Sequence, residues 1–155
     1  MNRIFSLLAV FVLLALAACS TEKPPDPAAI ETKSALTELR DMRRAYERKD
    51  HGAFMVEVAD AYPGRGEFSS SIEALFKKYE TVKFNIQYTK MVITIEEKGM
   101  VRMTFNWDGE WQAPGGNQKD GGRVTMVFES TGFKLMSIEG KNPFLPLPPE
   151  VRENK

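Results

Sequence analysis

The chain has 155 residues, with one cysteine, Cys19, and one histidine, His51. The two side chains most used as nucleophile, base and metal ligand therefore occur once each. A lone thiol has no partner for a disulfide within the chain and cannot build a cysteine-rich metal site. His51 alone excludes multi-histidine metal sites. It follows Asp50 where a helix is expected to start, and that pair fits helix capping without any chemistry. Should the domain run acid–base chemistry beside a cavity, Asp50, His51 and Asp60 are the helix-side candidates. No cofactor and no metal ion is expected.

Three further stretches have spacings that suggest chemistry. Met100-Val101-Arg102-Met103 has a two-methionine spacing suited to soft metals, but on a strand residues three apart face opposite ways. Pro114 to Arg123, "PGGNQKDGGR", pairs glycines with Lys119 and Arg123 as an anion loop would. It lacks the Gly-Lys-Ser/Thr ending and opens into a strand, so a flexible hairpin connection is expected. In "NWDGEW", a bulge at Asp108-Gly109 is expected to keep Trp107 and Trp111 on one side of a single long strand.

The elements that must position these residues follow from periodicity. Asp26-Pro27 reads as an N-cap and first-turn proline, and Leu36, Leu39, Met42 and Tyr46 recur at helical spacing, predicting a helix over 28–49. A second helix is predicted over 53–61 with Phe54, Val58 and Tyr62 near one face. "YPGRG" breaks it, and Ser70 with Glu73 reads as a capping box for a third, over 72–79. After Glu80 the period changes to two. Val82, Phe84, Ile86, Tyr88, Met91, Ile93, Ile95, Val101, Met103, Phe105 and Trp107 alternate with polar neighbours, and so do Val124, Met126 and Phe128. A final strand is predicted over 133–138 after the Ser130-Thr131-Gly132 turn. The reading is α+β: three N-terminal helices packed in a curved, mainly antiparallel sheet of about four strands, forming a cone.

Residues 1–18 combine Arg3, an apolar run from Ile4 to Leu16 and small residues before a cut, as a secretory signal does. The run is shorter than the roughly 20 residues that span a bilayer. Leu16-Ala17-Ala18-Cys19 resembles the lipobox of bacterial lipoproteins. The resemblance implies cleavage between Ala18 and Cys19, diacylglycerol on the Cys19 thiol and an acyl chain such as palmitate on the freed amine. Several chains, at about 0.8 kcal/mol per buried CH2, make anchoring stable. Ser20 stands where an aspartate would mark retention in the inner membrane, so the resemblance implies an outer membrane address, facing the periplasm. Residues 19–27 are expected to be the lipidated cysteine and tether, 28–144 the domain, and 145–155 a proline-rich tail, with Phe144 and Leu145 strapping the domain edge. The mature chain keeps 20 basic and 21 acidic side chains, a balance that argues against nucleic acid.

The order of elements, with "YERKDHGAFM", "LFKKYETVKFNIQY" and "FKLMSIEGKNPF", resembles the nuclear transport factor two-like superfamily, the cone-shaped fold of ketosteroid isomerase and scytalone dehydratase. In its enzymes the concave sheet face and the helices enclose a pocket carrying an acid, a histidine or a tyrosine. Here that face reads as apolar, with Phe54, Tyr88, Met103, Phe105, Trp107, Trp111 and Phe128 as candidate pocket residues. No carboxylate falls on it, so no general base maps onto this chain. The expectation is a lipid-anchored, non-catalytic domain in the periplasm that binds an apolar small molecule or an envelope protein, with Trp107 and Trp111 as an exposed aromatic rim. The alternative is a hydrolyase or isomerase of the scytalone dehydratase or ketosteroid isomerase kind. The resemblance also implies that a homodimer through the sheet face is open to this chain.

Overall fold

The computed structural model describes residues 26–96 and 99–146. The leader 1–18, the Ala18/Cys19 cleavage and lipidation site, most of the tether and the tail beyond Pro146 lie outside the described residues. Helix α1 spans Pro27–Glu47; Asp26 caps it, accepting from the Ala28 amide at 3.1 Å, and Pro27 supplies the first turn. Ala35, Leu39, Met42, Ala45 and Tyr46 form its buried stripe. The helix stops at Lys49, whose left-handed φ of 55° reverses the chain. The Lys49 ammonium then donates to the carbonyls of Phe76 and Tyr79 at 3.2 and 2.8 Å. It therefore caps the next long helix at its negative end.

Helix α2 covers only His51–Val56, shorter than the 53–61 expected. The cause is competition for the main chain. Glu57 accepts from the Leu135 amide at 2.8 Å and Ala59 donates to the Leu135 carbonyl at 3.0 Å, so Val58 forms a parallel bridge with the last strand instead of another helical turn. Helix α3 spans Arg65–Lys78 and starts well before the predicted Ile72. Gly64, at φ 65°, makes the turn as the N-cap, and the buried Phe68 rewards the extra turn of helix. Ser70 is no cap; its hydroxyl donates to the Gly66 carbonyl inside the helix at 3.1 Å.

Four strands follow as an antiparallel meander in the order β1-β2-β3-β4: Thr81–Glu96, Met100–Ala113, Gly116–Glu129 and Leu135–Gly140. In β1 the ladder passes from Gln87↔Asn106 to Val92↔Thr104. The extra residues reverse the alternation, so Ile86 before the bulge and Ile93 after it share the inner face. Tyr88 falls inside the bulge and is 46% exposed, which corrects its placement on the concave face. Strand β2 carries no bulge at Asp108-Gly109: pairing with β1 and β3 is unbroken there. Trp107 and Trp111 share a face by plain alternation with Gly109 between them. The predicted loop over 114–123 is instead strand, since Ala113 pairs with Gly116 across a two-residue turn and the ladder continues to Arg123.

The three helices cover the concave face, and one apolar core joins them to it. Polar groups cross-link the convex face: Thr104 to Thr125 at 2.8 Å, Asn85 to Asp108 at 3.0 Å, and Arg102 to Glu96 and Glu139 at 2.9 and 2.7 Å. After Gly140, at φ 87°, the chain turns over the edge of β3 and runs back toward the helices. A Cβ at Gly122 would meet the Lys141 side chain at 2.9 Å, so glycine there gives the crossing chain room.

Candidate functional site

The site where the fold would place chemistry is the inside of the cone. Its floor is β2, where Val101, Met103, Phe105, Trp107 and Trp111 all point inward and are buried. The Trp111 indole lies across Gly109, where a Cβ would overlap the ring. Phe54 of α2 and Phe128 of β3 close in from two sides. Of the seven candidate pocket residues, six converge here and Tyr88 does not. Trp107 and Trp111 are 2% and 0% exposed, so they form no aromatic rim; that expectation is corrected. They pack edge to face, with ring centroids 6.4 Å apart.

Two residues that sequence reasoning placed elsewhere complete the interior. Tyr46, read only as part of a helical stripe, puts its hydroxyl at the centre. It accepts from Trp111 Nε1 at 2.8 Å and donates to the Phe144 carbonyl at 2.8 Å, across 98 residues of sequence. Phe144, expected to strap the domain edge, is instead fully buried. Its ring centroid lies 4.9 Å from Phe54, 5.1 Å from Tyr46 and 5.4 Å from Phe84. Its own amide donates to Asn142 Oδ1 at 2.9 Å. The available signal was that a tyrosine in a buried stripe needs a polar partner. Burial pushes the Tyr46 phenol far above its ordinary range, against the Trp111 hydrogen bond that pulls it down. It is a fixed donor rather than an acid.

The helix-side acid–base candidates are elsewhere. Asp50 is exposed and caps α2 through the Ala53 amide at 2.9 Å. His51, half-buried, places Nε2 2.9 Å from Ser69 Oγ and 3.2 Å from the Ser69 carbonyl, joining α2 to α3. Asp60 is fully exposed and 3.6 Å from Arg65 Nε. None reaches the interior, where no polar or charged residue is fully buried among the described residues. The described residues also hold no cluster of three His, Cys, Asp or Glu for a metal.

One carboxyl pair stands apart on the outside. Glu38 of α1 hydrogen-bonds Glu57, which pairs with Lys134 Nζ at 2.8 Å. Burial first, then the neighbouring Glu57 carboxylate, pushes Glu38 up to about 7. Burial also pushes Glu57 up, but the hydrogen bonds from Glu38 and Lys134 outweigh it and leave that carboxyl below its usual range. Glu38 borders an open cleft of about 670 Å³ between the N-terminal half of α1 and Phe133.

A helix layer inside a curved antiparallel sheet, tapering to a closed interior, is the cone-shaped α+β fold of the NTF2-like superfamily. Solved structures bear this out. A nuclear transport factor 2 (NTF2-like) superfamily protein from Salmonella enterica aligns with a TM-score of 0.63 at 11% identity, over 84% of this chain and all of its own. A candidate dehydratase of the NTF2-like family from Streptomyces avermitilis aligns at 0.58 and 18% identity, over 71% of this chain and 94% of its own. Bd1075 of Bdellovibrio bacteriovorus aligns at 0.60 and 15% identity over 69% of this chain, which spans only 40% of that longer protein. No family profile and no curated protein matches the chain. At these identities the likeness defines the fold; function has to be argued from the site.

Proposed function

We propose that this chain is a lipid-anchored, non-catalytic binding domain of the bacterial envelope, held by acylated Cys19 and facing the periplasm. The observation that carries the non-catalytic part is the chemistry of the interior. It is lined by aromatic and aliphatic side chains, and its central hydroxyl, Tyr46, is committed to Trp111 and Phe144. General acid–base catalysis needs a group poised to exchange a proton near the working pH, and the interior offers none. The lipobox-like Leu16 to Cys19 supports the anchor, and the polar residues 20–25 that precede α1 are proposed to give the domain reach from the bilayer.

The alternative is a hydrolyase or isomerase; the similar Streptomyces avermitilis protein is a candidate dehydratase. It would have to work at Glu38, whose pKa near 7 suits proton transfer and which borders a cleft. The test is to incubate the mature chain with a panel of hydroxy ketones and β,γ-unsaturated ketones and to follow loss of water or isomerisation by mass spectrometry and NMR. No turnover is expected. Turnover that Glu38→Gln abolishes overturns the non-catalytic reading.

A further inference from the structure

We propose that residues 141–146 are a displaceable plug, with Phe144 as a built-in ligand, and that the pocket it fills takes a neutral aryl ketone when the plug swings out. The proposal rests on the reading of the domain as a binding module and names the ligand class and the gate of its interior.

Phe144 is held in the way a ligand is held. Its ring sits in a cage of Tyr46, Phe54 and Phe84, and its carbonyl accepts from the Tyr46 hydroxyl at 2.8 Å. The ring and the acceptor are thus recognised by separate groups of a rigid scaffold. The residues that present Phe144 are, by contrast, held by few main-chain bonds, with Pro143 buried beside it. They form no helix or strand, and among the described residues their one backbone hydrogen bond to the sheet runs from the Lys141 amide to the Arg123 carbonyl at 3.4 Å, a poor length. Lys141 latches the segment through Asp120 and the Gly121 carbonyl, and its ammonium is partly open to water. Gly140, at φ 87°, is a ready hinge.

A second, independent observation points to an acceptor-bearing ligand. Trp107 Nε1 is buried with no hydrogen-bond partner, in a residue 2% exposed. A buried donor left unpaired is costly, so the interior favours an occupant that carries a hydrogen-bond acceptor. Among the described residues no charged side chain is fully buried, so a neutral ligand suits the interior. Its shape is set by what it replaces: an aromatic ring separated from a carbonyl by two carbons, as in Phe144 itself.

The probe is therefore 4-phenyl-2-butanone, with n-butylbenzene as the analogue that lacks the acceptor. In the native mature chain, saturating ketone should accelerate hydrogen exchange of the Lys141, Asn142, Phe144 and Leu145 amides on the order of tenfold, because occupancy of the pocket holds the plug out. The butylbenzene should do markedly less. Lys141→Met, which removes the latch, should tighten the apparent affinity for the ketone, an effect that a merely structural lysine would not produce. Phe144→Ala should gain thermal stability from the ketone in a saturable way. Unchanged exchange in the native chain overturns the proposal, and so does stabilisation of Phe144→Ala alone, since Phe144 would then be a fixed core residue. Enzymatic turnover by the native chain would overturn the non-catalytic reading and leave these binding results standing.

Discussion

Replacing Tyr46 by Phe removes one oxygen and strands two buried polar groups. Trp111 Nε1 loses its acceptor and the Phe144 carbonyl loses its donor, both at 2.8 Å and both in a fully buried setting. Each group left unpaired costs about 1–3 kcal/mol, while the ring contacts to Phe54, Phe76, Phe84 and Phe144 survive. The expected loss is about 2–6 kcal/mol, larger than the usual worth of a single hydrogen bond because one hydroxyl serves two partners. The assay is urea denaturation of the mature chain, where the midpoint should fall and the slope stay constant. A double-mutant cycle with Trp111→Phe isolates the link. In the Tyr46→Phe background the indole N–H is already unpaired, so its removal should cost about 1–2 kcal/mol less than in the native chain. A single-mutant loss below about 0.5 kcal/mol, or additive losses, would refute the argument that the hydroxyl joins helix, sheet and C-terminal segment.

Gly109→Ala should destabilise by about 1–3 kcal/mol, because the new methyl overlaps the Trp111 indole; thermal unfolding checks it, and an unchanged midpoint contradicts the packing. Glu38 gives a pH signature. Its folded pKa, near 7, is above the ordinary 4.5, so its contribution is fully present below about 4.5 and lost as pH rises through 7. Glu38→Gln should therefore flatten the fall in stability between pH 5 and 8, as read from urea midpoints, and an unaltered slope counts against the carboxyl pair. Cys19→Ser, expressed in a double-membraned bacterium, should move the protein out of the membrane fraction and remove the mass of the acyl chains; a variant that stays membrane-bound contradicts the anchor.

Much of the fold was legible because its signals are local. Asp26-Pro27 starts α1 as read, and the change of period after Glu80 marks the sheet. The misreadings share a cause, since each depends on a partner distant in sequence. Helix α2 ends early because Leu135 takes its main-chain groups. The glycines of 114–123 suggest a loop, yet they serve a strand over which Lys141 must cross. The interior was legible as apolar. Its centre was not, because nothing near Tyr46 in the sequence announces the carbonyl of a residue 98 positions away.

That distance also bears on how the chain reaches its final state. The Tyr46–Trp111 pair lacks its last partner until residue 144 has been made and delivered, so the domain is completed from its C-terminal end. A product cut short between Gly140 and Phe144 would have the helices and strands described above in hand and still present an open aromatic cage to its surroundings. Proteases cleave chains that open readily, so the arrival of Phe144 marks the point from which the folded domain resists them.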